Sequence, residues 1–118
     1  MAKMEATEWI WRDGEFVRWA DATVHVLAHS IQFGSSAFEG VRCYSTSQGP
    51  AIFRLEDHLQ RLLDTCKIYR MDIKYSVDEL VAATCEVVER NNIDTTGGLP
   101  IFGALEKLGL KLEEKKPV

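Results

Sequence analysis

The sequence predicts an α+β fold: a mostly antiparallel sheet of hairpins, two main helices packed on one side, and a short C-terminal helical segment. Three observations predict it. Short runs of alternating aromatic and β-branched residues, broken by turn-forming residues, fill the first half of the chain. Apolar residues then recur at spacings of three and four in two successive stretches. Strand-like segments precede helix-like ones without strict alternation, which is the order of an α+β chain.

The elements follow in order. Trp9 to Arg12 and Glu15 to Trp19 flank Asp13-Gly14, a strong local signal for a hairpin with a type I′ turn. Asp21 and Ala22 break the pairing, and residues 23–27 read as another short strand. A loop over 29–36 leads into a central strand over 37–44, and residues 50–54 return as its partner across the Ser/Thr/Gly-rich turn at 45–49. Leu55, Leu59, Leu62, Leu63 and Cys66 then form the apolar stripe of a helix over 55–69, with Glu56 and Asp57 at the positive end of its dipole. Ser76 and Glu79 make a capping box for a second helix, whose stripe is Leu80, Val81, Thr84, Val87 and Val88 and which ends near Asn91 and Asn92. From Asp94 the character changes to a Gly97-Gly98 breaker, a short helix over 104–112 weakened by Gly109, and a charged, frayed end. The chain therefore divides into a domain over 1–93 and a divergent tail over 94–118.

Composition removes several functions. Of 118 residues, 46% are hydrophobic and 27% charged, the balance of an ordinary globular domain. A net charge of −4 with no dense basic patch gives no reason to expect nucleic acid. No apolar run reaches the ~18 residues that cross a bilayer, and the N-terminus has no apolar core of a secretory signal. Three widely spaced cysteines, Cys43, Cys66 and Cys85, form neither a disulfide framework nor a zinc motif. They fit a reducing cytoplasm, with buried inert thiols as the default. His25, His29 and His58 have no acidic partners at metal-ligand spacing, so no metal site is expected.

The residues richest in chemistry lie between Phe33 and Tyr44. Phe38, Gly40 and Arg42 share one face of the expected strand, offering an aromatic ring, a gap and a guanidinium. Such a face suits a small amphipathic or anionic ligand. On those three residues alone, a half-buried strand with a solvated arginine is the preferred reading. Arg42, Arg54 and Arg61 form a candidate guanidinium cluster for a phosphate. Surface pairing of these arginines with Glu56, Asp57 and Asp64 is favoured by spacing alone.

From Trp9 to Asn92 the chain closely resembles the N-terminal small domain of the branched-chain amino acid aminotransferases, class IV enzymes that use pyridoxal phosphate. The resemblance runs through Trp11-x-x-Gly14 and Val24-His25-Val26-Leu27. It continues through Phe33-Gly34-x-x-x-Phe38-Glu39-Gly40-Val41-Arg42-x-Tyr44, Phe53-Arg54-Leu55-x-x-His58-x-x-Arg61-Leu62 and Lys67-Ile68-Tyr69. It implies that Arg61 binds the cofactor phosphate. It implies further that Phe38 and Gly40 line the pocket for a branched side chain and that Arg42 stands near the substrate carboxylate. Phe33 occupies a position where relatives often carry tyrosine, keeping an apolar wall without the hydroxyl. The implied reaction is amino transfer between leucine, isoleucine or valine and 2-oxoglutarate. Other class IV enzymes, D-amino acid aminotransferase and aminodeoxychorismate lyase, are the alternatives that the Phe38 to Arg42 run disfavours.

The sequence also departs from that family. None of its seven lysines sits in the family's Schiff-base lysine motif, which belongs to the large domain, so no catalytic residue is assigned. Gly97 to Pro100 replaces the family's Tyr-x-Arg-Pro strand. The expectation is a chain inactive alone. Arg61 would contribute ~1.5–3 kcal/mol to cofactor binding, a dissociation constant of roughly tens of millimolar or weaker. The expected partner is the large domain or a second copy of this chain, covering an apolar face that includes Phe33 and Phe38.

Overall fold

The computed structural model describes residues 6–93. Its elements are β1 (Trp9–Arg12), β2 (Glu15–Arg18), a 3₁₀ turn (Trp19–Asp21), α1 (His29–Gln32), β3 (Cys43–Thr46), β4 (Gly49–Ile52), α2 (Leu55–Ile68) and α3 (Val77–Arg90). The expected tail helix and the 94–118 segment lie outside the described residues.

The α+β class and the antiparallel hairpins are as the sequence predicts, with each hairpin standing as its own two-stranded sheet. In the first, Arg12 pairs with Glu15 across Asp13 and Gly14, whose φ values of 48° and 94° are both positive, as a type I′ turn requires. Gly14 is needed for a second reason: a Cβ there would lie 2.8 Å from the Tyr75 hydroxyl. That hydroxyl donates to Asp13 Oδ1 at 3.1 Å, fastening the turn to the connection between α2 and α3. In the second hairpin Cys43 pairs with Ile52 and Thr46 with Gly49. There Thr46 Oγ1 closes the turn by donating to the Gly49 carbonyl at 2.6 Å.

Both long helices have the bounds that their apolar spacing dictates. The capping box of α3 is formed, with Glu79 N–H donating to Ser76 Oγ and Ser76 N–H donating to the Glu79 carboxylate at 2.7 Å. Each helix ends in a Schellman motif. Met71 N–H reaches the Cys66 carbonyl at 2.8 Å and Ile93 N–H reaches that of Val88 at 3.2 Å. The left-handed residues that this requires are Arg70 and Asn92. The core comprises Val41, Cys43, Leu55, Leu59 and Val88, with Ile52, Leu62, Leu80 and Val81 packed around it.

Helix α3 also holds the first hairpin. Asn91 Oδ1 accepts from the Trp9 N–H at 2.8 Å while its amide donates to the Trp9 carbonyl at 3.0 Å. One side chain thus pairs with β1 as a neighbouring strand would. The Arg90 guanidinium lies 4.2 Å from the Phe16 ring centroid, adding a cation–π contact to the same junction.

Three expectations need correction. Residues 23–27 form no strand, because the backbone is satisfied locally: Ala28 N–H bonds the His25 carbonyl at 2.9 Å and Leu27 N–H bonds His25 Nδ1 at 3.0 Å. The resulting turn leaves Val26 and Leu27 exposed and leads into the short α1. The central strand is shorter than predicted. It begins at Cys43, and residues 35–42 run to it outside any ladder. Finally, Cys43 and Cys66 are buried, and burial pushes both thiols above the ordinary range, but Cys85 is exposed.

Gly14→Ala is expected to lower stability by about 1–2 kcal/mol, combining positive-φ strain with the clash at Tyr75. Denaturant unfolding of the two proteins checks this, with Tyr75→Phe expected to relieve part of the loss.

Candidate functional site

The site forms where the segment over 33–42 crosses the first half of α2. Alternation along that segment sends Val41 and Cys43 into the core. Glu39, in phase with them, has a side chain only 7% exposed. A carboxylate placed there without partners would be costly. On α2, Leu55 and Leu59 face the core, while His58 and Arg61, one turn apart, flank that stripe and meet the acid.

The geometry is that of a clamp. Arg61 Nε donates to Glu39 Oε2 at 2.6 Å and Arg61 Nη2 donates to Oε1, so the guanidinium grips the carboxylate through its side edge. His58 Nδ1 lies 2.9 Å from Oε1 of the same carboxylate. That contact assigns the proton to Nδ1, because the oxygen can only accept. The 3.3 Å approach of Arg61 Nη2 to Nδ1 is then a contact between two donors held by one acceptor. Burial alone would raise the Glu39 carboxyl, but the hydrogen bonds and charges of Arg61 and His58 outweigh it and hold the group below its ordinary 4.5. Glu39 in turn raises the Arg61 guanidinium.

Arg61 is 66% exposed despite this grip. Two of its five N–H donors go to Glu39, and among the described residues no group accepts from Nη1. Among the described residues, the outer end of the fork therefore faces solvent.

The other predicted residues are less gathered. Phe38 and Gly40 are half-buried and Arg42 is exposed. Phe33 closes α1 at 73% exposure, its ring standing edge-on to His29 at 5.4 Å. Arg54 pairs with Asp57 at 2.6 Å, as surface pairing predicts. Arg61 does not follow that pattern, and Asp64 accepts from Gln60 and Lys67 instead. Glu39 is the residue that sequence reasoning passed over. The signal was an acid in phase with Val41 and Cys43, on the face opposite Phe38, Gly40 and Arg42. Among the described residues no cluster of three His, Cys, Asp or Glu could hold a metal ion, and no helix is long and apolar enough to cross a membrane.

This arrangement of hairpins, a crossing segment and an arginine-bearing helix has close counterparts. Residues 36–115 match the model of the amino-transferase class IV family, and the chain belongs to that family. It is 49% identical over 86 residues to the branched-chain-amino-acid aminotransferase of Salmonella typhimurium, covering 73% of this chain and 28% of the relative. The solved structure of the Escherichia coli branched-chain amino acid aminotransferase superposes with a TM-score of 0.71 at 49% identity, over 73% of this chain and 29% of that one. The branched-chain amino acid aminotransferase of Thermobaculum terrenum, solved in its PLP form, gives a TM-score of 0.64 at 34% identity, over 75% and 29%. The chain thus spans less than a third of the length of these relatives.

Because the folded-state pKa of Glu39 lies below its unfolded value, its contribution to stability is complete above about pH 4.5 and is lost as pH falls through the folded value. Glu39→Gln is expected to cost about 1–2 kcal/mol at neutral pH, a moderate figure because Arg61 is largely solvated. The gap between the two proteins should narrow as pH is lowered from about 5 toward about 3, measured by denaturant unfolding at each pH.

Proposed function

We propose that this chain is the small-domain part of a branched-chain amino acid aminotransferase. In the whole protein it contributes to amino transfer between leucine, isoleucine or valine and 2-oxoglutarate. In this reading Arg61 meets the cofactor phosphate, Phe33, Phe38 and Gly40 line the pocket for the branched side chain, and Arg42 serves the substrate carboxylate. The observation that carries the reading is the 49% identity to named branched-chain enzymes across the same fold. The exposed outer end of Arg61 supports the phosphate role, since a guanidinium fork matches phosphate geometry.

The described residues fit a phosphate contact and do not fit pyridoxal phosphate as a whole. When bound, that cofactor supplies an electron sink for the substrate's α-carbon, and it needs a lysine amine to hold it. Lys67 is paired with Asp64 at 3.5 Å and Lys74 with Asp13 at 3.2 Å, and neither lies in the family's lysine motif. With none of the seven lysines in that motif, the 118-residue polypeptide alone is proposed to be inactive and to bind the cofactor weakly. Val26, Leu27, Ile31 and Phe33, all exposed, supply an apolar face for the rest of such an enzyme or for a second copy of this chain. A cytoplasmic setting accords with the free cysteines.

The test is a graft. Residues 6–93, placed in the Escherichia coli relative in exchange for its matching segment, are expected to preserve amino transfer from leucine to 2-oxoglutarate. Loss of that transfer in a folded graft contradicts the reading. The 118-residue polypeptide, incubated with pyridoxal phosphate and reduced with borohydride, should show only scattered lysine labelling by mass analysis.

A further inference from the structure

We propose that Glu39 is a positioning residue for Arg61: it takes the guanidinium's side edge so that the outer end of the fork is fixed toward an incoming phosphate. This rests on the reading of Arg61 as a phosphate contact and adds how that contact is made ready. An arginine side chain on an exposed helix face samples many rotamers, and ordering it on binding is costly. Here the ordering is built into the fold. Glu39 is fixed by the core residues Val41 and Cys43 that follow it in phase. Its side chain is 7% exposed, and His58 at 2.9 Å holds the carboxylate from α2. Arg61 Nε and Nη2 both point at that carboxylate. A guanidinium is planar and rigid, so fixing two donors on one edge fixes the direction of the remaining three.

Charge works in the opposite direction. The Glu39 carboxylate already offsets part of the Arg61 charge and reduces its attraction for an anion. If Glu39 acted only through charge, its neutralisation would strengthen phosphate binding. If it positions Arg61, the same change weakens it. The sign of the effect separates the two. Glu39→Asp separates them again, because it keeps the charge but shortens the reach, so the two-point grip is lost.

The experiment is ¹⁵N NMR on the 118-residue chain, titrated with inorganic phosphate, with the Arg61 Nε–H resonance identified by its loss in Arg61→Lys. In the unaltered chain that resonance should be protected from solvent exchange and should shift with phosphate. In Glu39→Gln and in Glu39→Asp the protection should fall, and the phosphate concentration giving half the shift should rise about threefold to tenfold. Unchanged or tighter phosphate binding in both variants overturns the positioning role while leaving Arg61 as the phosphate contact. A protected Arg61 resonance that phosphate does not move in the unaltered chain overturns the phosphate reading itself, and the positioning role with it.

Discussion

A single carboxylate, that of Glu39, ties together the two parts of the molecule that local structure leaves apart. The segment over 35–42 belongs to no ladder, so it receives none of the repeated backbone bonds that hold β3 against β4. Its place over α2 depends instead on Val41 and Cys43 in the core and on Glu39 between Arg61 and His58. An acid so little exposed is tolerated only because both its oxygens are satisfied by cationic or N–H donors. The same bonds set the direction of the one guanidinium on which the proposed cofactor contact relies. Fold and site therefore share a constraint: what seats the segment also orients Arg61.

The rest of the architecture supports that junction from behind. Helix α3 packs against α2 and, through Asn91, takes hold of β1 by pairing with both backbone groups of Trp9. The Asp13–Tyr75 hydrogen bond fixes the other end of the first hairpin to the link between the helices. With small sheets and a modest core, such long-range polar fastenings carry positions that a larger apolar interior would otherwise determine. Val26, Leu27, Ile31 and Phe33 stay exposed on the stretch that precedes the site, and Phe53, Ile68 and Tyr69 are exposed elsewhere among the described residues.

Much of this was legible in the residues, and the reasons differ by element. Asp13-Gly14 announced its hairpin because two positive φ values select that dipeptide. Both helices were legible because Leu55, Leu59, Cys66 and Val87, Val88 recur at helical spacing, and because Ser76 and Glu79 cap the second one reciprocally. The segment over 23–27 misled because Val24 and Val26 have strand propensity whether or not a neighbouring strand exists. There the His25 ring and carbonyl satisfied the backbone locally. The clamp at Glu39 and the clasp at Asn91 join residues 22 and 82 positions apart, and no local pattern encodes such pairs. Arg61 stood out only through the family resemblance, since spacing alone assigned it to surface pairing.

The central claim is that Glu39 and Arg61 act as one unit, and a double-mutant cycle measures it most directly. Unfolding free energies of the unaltered chain, Glu39→Gln, Arg61→Met and the double variant should give a coupling of about 1–2 kcal/mol at neutral pH. Additivity within about 0.3 kcal/mol would contradict the account. It would mean that Val41 and Cys43 seat the crossing segment without help and that Arg61 is held by nothing but its own helix.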